Sequence, residues 1–194
     1  MKTKPISRTR ILVECGLMIA VGTVLAQIKI FEMPFGGSVT LVSMLPFILV
    51  SLRHGAKWGL ATGFADSLLQ MLLGFYAPPA GTVIAFIGVV LLDYVLAFTL
   101  LGLAGLIAKP FQNRMLGVAA GTAAVCVIRF LCSFLSGALL WGSYQSYYDW
   151  ANGMSVWLYS LIYNGSYMLP ELVLTTIVAV LLYKAAPKFF SPEQ

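Results

Sequence analysis

Long apolar stretches recur along the chain, and short segments rich in Gly, Pro and charged residues separate them. A helix of about 20 apolar residues crosses the roughly 30 Å hydrocarbon core of a bilayer. Six such spans can be drawn, although the second is short and Pro46 interrupts it. The pattern predicts an all-α integral membrane protein, a six-transmembrane-helix bundle forming a single membrane domain over residues 1–194. The expected spans are about 9–30, 39–52, 56–75, 83–107, 115–141 and 156–183.

Positive charge falls almost entirely on one side of these spans. Only Lys29 lies on the other side, and Arg129 falls inside the fifth span. Cytoplasmic loops carry an excess of Lys and Arg, so both termini are expected in the cytoplasm, which requires an even number of spans. The outer loops are then about 31–38, 76–82 and 142–155. The side assigned to the cytoplasm carries Lys2, Lys4, Arg8, Arg10, Arg53, Lys57, Lys109, Arg114, Lys184 and Lys188.

Composition narrows the possible functions. The chain is 60% hydrophobic and 10% charged, unlike an ordinary soluble domain. Its net charge of +5 follows from the cytoplasmic loops and does not indicate nucleic-acid binding. No Gly-rich phosphate loop followed by Lys-Ser/Thr is present, so the chain is not expected to hydrolyse ATP. The single histidine, His54, and three cysteines in apolar runs have no metal-ligand spacing, so no metal or catalytic constellation is expected.

Three carboxylates fall inside predicted spans. Such groups are costly at membrane depth and usually face a protein interior or a cavity. Asp93, which precedes Tyr94 in the fourth span, could pair with a cationic ligand, with Arg129, or with no charged group if it is protonated. Asp66 in the third span favours a structural hydrogen bond or a pairing with Arg129. For Glu171 in the sixth span, a structural and a functional role are equally open.

Aromatic residues flank the third outer loop. Trp141 ends the fifth span, Tyr159 opens the sixth, and Asn164 lies about one turn deeper. Trp and Tyr are common at headgroup level, which accounts for Trp150 and Trp157 but not for the amide of Asn164. Aromatic faces also stack on flat rings, especially cationic ones. We therefore expect a small-molecule site near the outer interface.

Small residues form two neighbouring faces on the first span. Gly16 and Ala20 form one small-xxx-small pair, and Gly22 and Ala26 form the next. Such faces allow another helix to approach closely. The partner helix could belong to this bundle or to another subunit.

Several of these residues stand in segments that resemble a known family, the thiamin-specific substrate-binding subunits, or S-components, of energy-coupling-factor transporters. The likeness covers nearly the whole chain. Residues 92–98, 136–143 and 159–165 carry its specific part, and residues 10–14 and 33–39 extend it.

The resemblance implies a multi-pass protein of the bacterial plasma membrane that binds thiamin near the extracellular face, under the first outer loop. It also implies a partner complex of a transmembrane scaffold subunit and two ATPases that use ATP, with no cofactor in this chain. Gly16 and Ala20 match the helix face that docks on the scaffold. The family's binding positions are matched by Asp93, Tyr94, Trp141, Tyr159 and Asn164.

Thiamin also suits these side chains on chemical grounds. A thiazolium cation favours an aromatic face and a carboxylate, which Trp141 and Asp93 offer. An aminopyrimidine needs paired donors and acceptors, which the Asn164 amide carries.

The chain departs from the family at Ser133, where a histidine typically lines the thiamin pocket. Either the longer third outer loop refills that space with Tyr147, Tyr148 or Trp150, or the site takes a different ligand. Ser133 is therefore included among the expected ligand-binding residues.

Three other functions compete with thiamin uptake. The first is an S-component for a thiamin precursor or another heteroaromatic vitamin. The second is an intramembrane aspartyl enzyme that uses Asp66 and Asp93. The third is an assembly subunit whose aromatic residues only anchor it in the membrane.

Overall fold

The computed structural model describes residues 7–190, and it is predominantly helical. Lys2 and Lys4, assigned above to the cytoplasmic side, lie outside the described residues. Six helices of ten or more residues occur in this part of the chain. They are α1 (Arg8–Gln27), α2 (Leu45–His54), α3 (Ala56–Leu73), α4 (Val83–Ala108), α5 (Arg114–Leu139) and α6 (Val156–Ala185).

Four of these helices, α1, α4, α5 and α6, are long and apolar enough to cross a membrane. Helix α2 is apolar but has only 10 residues, and α3 has 18 residues with more polar groups among them. The helical bundle is thus confirmed, whereas six crossings and cytoplasmic termini stay predictions.

The predicted second span is wrong at its start. Residues 39–44 are not helical, because β1 (Lys29–Glu32) and β2 (Ser38–Thr40) form an antiparallel hairpin before α2. The expectation of an all-α protein is corrected accordingly. Pro46 does not interrupt a helix either: it lies in the first turn of α2, where its missing N–H has no intrahelical partner to lose.

Helix α2 lies at the centre of the bundle. Residues 45–52 are all buried, and Phe47 and Ile48 belong to a core shared with α4 and α5. A short 3₁₀ turn, Pro187–Phe190, packs against this core, and its Phe190 ring is fully buried. Arg114 donates to the Phe190 carbonyl oxygen at 2.8 Å and so holds the turn against α5.

Helix α1 is the most peripheral of the long helices. Glu14 attaches it to the end of α2 by accepting from Arg53 Nε at 2.9 Å, and it contacts His54 Nε2 at 2.7 Å. Gly22 is buried against the Phe47 ring, whereas Gly16 and Ala20 are exposed. The two small-residue faces therefore differ, since one packs inside the bundle and the other is open.

This difference predicts opposite responses to the same substitution. A Cβ at Gly22 would lie 2.4 Å from Phe47 Cζ, whereas a Cβ at Gly16 would meet no atom within 4 Å. We expect Gly22→Ala to lower the free energy of unfolding by about 1–3 kcal/mol through overpacking. Gly16→Ala is the matched control and should leave stability unchanged or slightly higher. Thermal unfolding in detergent measures both, and equal effects would contradict the packing of α1 described here.

Candidate functional site

A cavity of about 390 Å³ lies where the hairpin meets α4, α5 and α6. Its volume is typical of small-molecule sites, which span roughly 300–1,000 Å³. Six residues singled out from the sequence as ligand-binding all line it: Asp93, Tyr94, Ser133, Trp141, Tyr159 and Asn164.

Asp93 and Tyr94 reach the cavity from an irregular part of α4. Residues Val90–Leu96 form π-helical turns, a departure from α geometry that often accompanies functional sites. The Tyr94 hydroxyl donates to the Gly74 carbonyl oxygen and accepts from the Tyr76 N–H, both at 3.0 Å. Tyr94 thus lines the cavity and also holds the segment that follows α3.

Two neutral donors hold the Asp93 carboxylate. Ser136 Oγ donates to Asp93 Oδ2 at 2.6 Å, and Trp141 Nε1 donates to the same oxygen at 3.0 Å. Among residues 7–190, no ion pair joins Asp93 to Arg129. The predicted alternative of an Asp93–Arg129 pair is therefore wrong, and within residues 7–190 no cationic side chain lies at ion-pair distance from this carboxylate.

Arg129 and Asp66 lie in different environments. The Arg129 guanidinium carbon lies 4.3 Å from the centroid of the Phe98 ring, and the side chain lines the cavity. Asp66 is fully buried and accepts from Gln70 Nε2 at 3.3 Å within α3. Arg129 lines the cavity and Asp66 does not. Of the two roles expected for Asp66, the structure therefore supports the structural hydrogen bond and not the pairing with Arg129.

Asn164 packs against Gly137 at the contact between α5 and α6. A Cβ at Gly137 would lie 2.6 Å from Asn164 Nδ2, so only glycine fits at that point of α5. Asn164 Nδ2 donates to the Ser160 carbonyl oxygen at 3.0 Å, and Oδ1 accepts from the Tyr167 hydroxyl at 2.7 Å. These contacts fix the amide at the cavity wall.

Aromatic rings form the outer part of the cavity. Phe35 of the hairpin and Tyr144 of the third outer loop have ring centroids 4.4 Å apart, and Trp141 lies 5.5 Å from Tyr144. The third outer loop was expected to fill the space beside Ser133 with Tyr147, Tyr148 or Trp150. None of these three residues lines the cavity, so that expectation is wrong.

Tyr148 and Trp150 instead pack behind the cavity wall. Their ring centroids lie 6.1 Å and 5.7 Å from that of Tyr159. Burial among these rings raises the pKa of the Tyr148 hydroxyl above its ordinary value.

Sequence reasoning missed two tyrosines of α6 and left Glu171 undecided. Tyr159, Tyr163, Tyr167 and Glu171 recur every four residues, and all of them line the cavity. Residues four apart lie on the same helix face, so this spacing could have indicated that the four side chains face one site. Tyr167 interacts with Ser133, which places an aromatic ring from α6 beside the position where the family typically has a histidine.

The side chains around the cavity are of the kinds that bind a small molecule. Aromatic faces, an amide and a carboxylate without a cationic partner surround a space for one small molecule between apolar helices. Together with the bundle, this arrangement defines a multi-pass membrane protein with a small-molecule site.

Residues 12–191 match the family described as thiamine transporter protein (Thia_YuaJ), and the chain belongs to that family. Thiamine transporter ThiT of Bacillus subtilis is 32% identical over 196 residues, which cover 94% of this chain and 95% of the relative. ThiT of Lacticaseibacillus paracasei is 32% identical over 162 residues, covering 76% and 74% of the two chains. A solved structure of ThiT from Listeria monocytogenes has the same fold, with a TM-score of 0.75 at 24% identity over 95% of this chain and 99% of that one.

Membership in this family confirms the resemblance drawn from the sequence. The curated relatives are named transporters and not enzymes, so the aspartyl-enzyme alternative is set aside. The relatives and the apolar helices together identify a multi-pass bacterial membrane protein.

The hydrogen bonds around Asp93 predict how the ligand-free protein responds to mutation. Ser136→Ala removes a donor from a buried carboxylate and should lower the free energy of unfolding by about 1–3 kcal/mol. Asp93→Asn keeps an oxygen that can accept from Ser136 and Trp141 while removing the charge, so stability should be equal or higher. Thermal unfolding without ligand compares the two, and an equal loss in both variants would show that the charge itself stabilises the fold.

Proposed function

We propose that this chain binds thiamin in the cavity and serves as the substrate-binding subunit of an ATP-driven vitamin uptake transporter. The observation that carries the proposal is the Asp93 carboxylate, which two neutral donors hold beside the Trp141 indole. A thiazolium ring brings the cation that this carboxylate lacks, and the indole offers it a flat face. In a site shielded from water both interactions are stronger than in solution.

The second ring of thiamin suits the inner part of the cavity. Asn164 Oδ1 accepts from Tyr167 and has another lone pair for the exocyclic amine of an aminopyrimidine. Tyr159 and Tyr163 lie on the same face of α6 with ring centroids 5.6 Å apart, and both line the cavity. Ser133 and Tyr167 replace the expected imidazole wall, which favours a thiamin precursor or another heteroaromatic vitamin as the second candidate.

Uptake requires partners in this proposal. The sequence contains no nucleotide-binding motif, and the family resemblance implies that two ATPase subunits attached to a transmembrane scaffold subunit use the ATP. The exposed Gly16–Ala20 face of α1 suits close docking on that scaffold. A single membrane domain with six crossings and both termini in the cytoplasm completes the proposal.

Binding is tested by titrating the purified chain with thiamin, without ATP or metal. Tryptophan fluorescence should be quenched as the thiazolium ring stacks on Trp141. Asp93→Asn should weaken thiamin binding about ten- to a hundredfold, since a charge-assisted contact contributes roughly 1.5–3 kcal/mol. A neutral analogue of thiamin should lose much less.

Unchanged fluorescence and thermal stability up to millimolar thiamin would refute thiamin as the ligand. Equal losses for the charged and the neutral ligand would refute the role of Asp93. Mass spectrometry of a ligand retained through purification distinguishes the second candidate, because it identifies a precursor or another vitamin directly.

Docking is tested on the exposed face of α1. Gly16→Trp or Ala20→Trp should block close helix approach, so thiamin uptake by cells should fall while the isolated chain binds thiamin normally. Val21→Trp is the control, because Val21 is also exposed on α1 but lies about 100° or more around the helix from Gly16 and Ala20. A parallel loss of binding and uptake would place this face inside the bundle and contradict the docking role.

A further inference from the structure

We propose that Glu171 is a positioning residue that fastens the β1–β2 hairpin to α6 and thereby sets how long the ligand stays in the cavity. This inference rests on the proposed function, with thiamin as the ligand. The hairpin forms one wall of the cavity, to which Phe35, Gly36, Gly37, Ser38 and Thr40 contribute.

Glu171 holds the base of the hairpin. Its side chain is 3% exposed, and its two oxygens accept from the Thr40 N–H at 2.8 Å and from Thr40 Oγ1 at 2.6 Å. An ionised carboxylate only accepts, so the Thr40 hydroxyl must donate to Glu171. Its oxygen then accepts from the Ser43 N–H at 3.3 Å. These bonds join α6, β2 and the turn that leads into α2.

Two tyrosines of the same helix hold the tip of the hairpin. The Tyr163 hydroxyl accepts from the Phe35 N–H at 3.2 Å and donates to the Gly36 carbonyl oxygen at 2.9 Å. Gly37, with a φ of +92°, lies directly on the Tyr167 ring, which a Cβ would approach to 2.4 Å. Tyr163, Tyr167 and Glu171 therefore attach the tip and the base of the hairpin from one face of α6.

Strand β1 contributes little to this attachment. All four of its residues are exposed, and its ion pair, Lys29–Glu32, lies on the surface. Exposed pairs of this kind add little stability, whereas hydrogen bonds to a buried carboxylate are about twice as strong as neutral ones. Apart from ring contacts of Phe35 with the third outer loop, detachment of the hairpin therefore depends on contacts with α6, and among them Glu171 contributes the carboxylate.

The proposal is tested by measuring thiamin association and dissociation rates from the tryptophan signal. Glu171→Gln replaces one accepting oxygen with an NH₂ group, and Thr40→Val removes the hydroxyl. Each should raise the dissociation rate on the order of tenfold, equivalent to about 1.4 kcal/mol, with association changed much less. The double variant should be no worse than the more severe single variant, because both remove the same contact. Glu32→Gln removes a carboxylate from the same hairpin without touching α6, so it should behave as the wild type.

Hydrogen exchange of the ligand-free protein supplies a readout that does not depend on thiamin. Glu171→Gln should speed exchange in the hairpin, at residues 35–40, and leave the amides of α5 unchanged. Wild-type dissociation rates or unchanged hairpin exchange in Glu171→Gln would overturn the proposal. Faster exchange throughout the bundle would overturn it as well, since Glu171 would then stabilise the fold as a whole. If the wild type fails to bind thiamin while only the hairpin exchanges faster in the variant, the ligand assignment and the control of its residence fail, but the attachment by Glu171 stands.

Discussion

The close approach of α5 and α6 at Gly137 is the contact on which the site depends. Glycine at that position lets the Asn164 amide and the Ser160 hydroxyl lie directly against the α5 backbone. With the helices packed in this way, Ser136 on α5 and Trp141, two residues beyond its end, are aligned to hold Asp93, while α6 turns its row of tyrosines toward the hairpin. A larger residue at Gly137 would separate the helices and displace both walls of the cavity.

The bilayer explains why so many polar groups of this protein have internal partners. Water is absent from the hydrocarbon core, so a buried hydroxyl or amide must find its hydrogen bond within the protein. Ser51 illustrates this by donating to the Gly102 carbonyl oxygen at 2.5 Å and accepting from the Gly105 N–H at 2.8 Å, which joins α2 to α4. Asp93, Arg129 and Glu171 differ from the surface charges, because none of them has an oppositely charged partner within ion-pair distance among the described residues and all three line the cavity.

The cavity and the open small-residue face occupy different parts of the chain. The hairpin, α4, α5 and α6 supply most of the cavity wall, and Ala26 and Gln27 at the end of α1 also line it, whereas the open face with Gly16 and Ala20 lies earlier on α1. The hairpin follows α1 directly, since α1 ends at Gln27 and β1 begins at Lys29. A partner that moves α1 would therefore act on the wall of the cavity through one intervening residue, Ile28, and the attachment of that wall to α6 would resist the movement.

Sequence alone determined the helical membrane fold and singled out six of the residues that line the cavity, because hydropathy, helix periodicity and family motifs are local properties of the chain. The four-residue spacing from Tyr159 to Glu171 was also present in the sequence, although it was not recognised as the helix face that lines the cavity. Only the tertiary structure showed that Ser38–Thr40 is a strand and not the start of a span, and that Gly22 is buried while Gly16 is open. It alone showed that Asp93 bonds to Ser136 and not to Arg129, and that Glu171 holds Thr40. These outcomes depend on which helix faces meet, and in the last case the partners are 131 positions apart in the chain, a distance at which local patterns carry no information about contact.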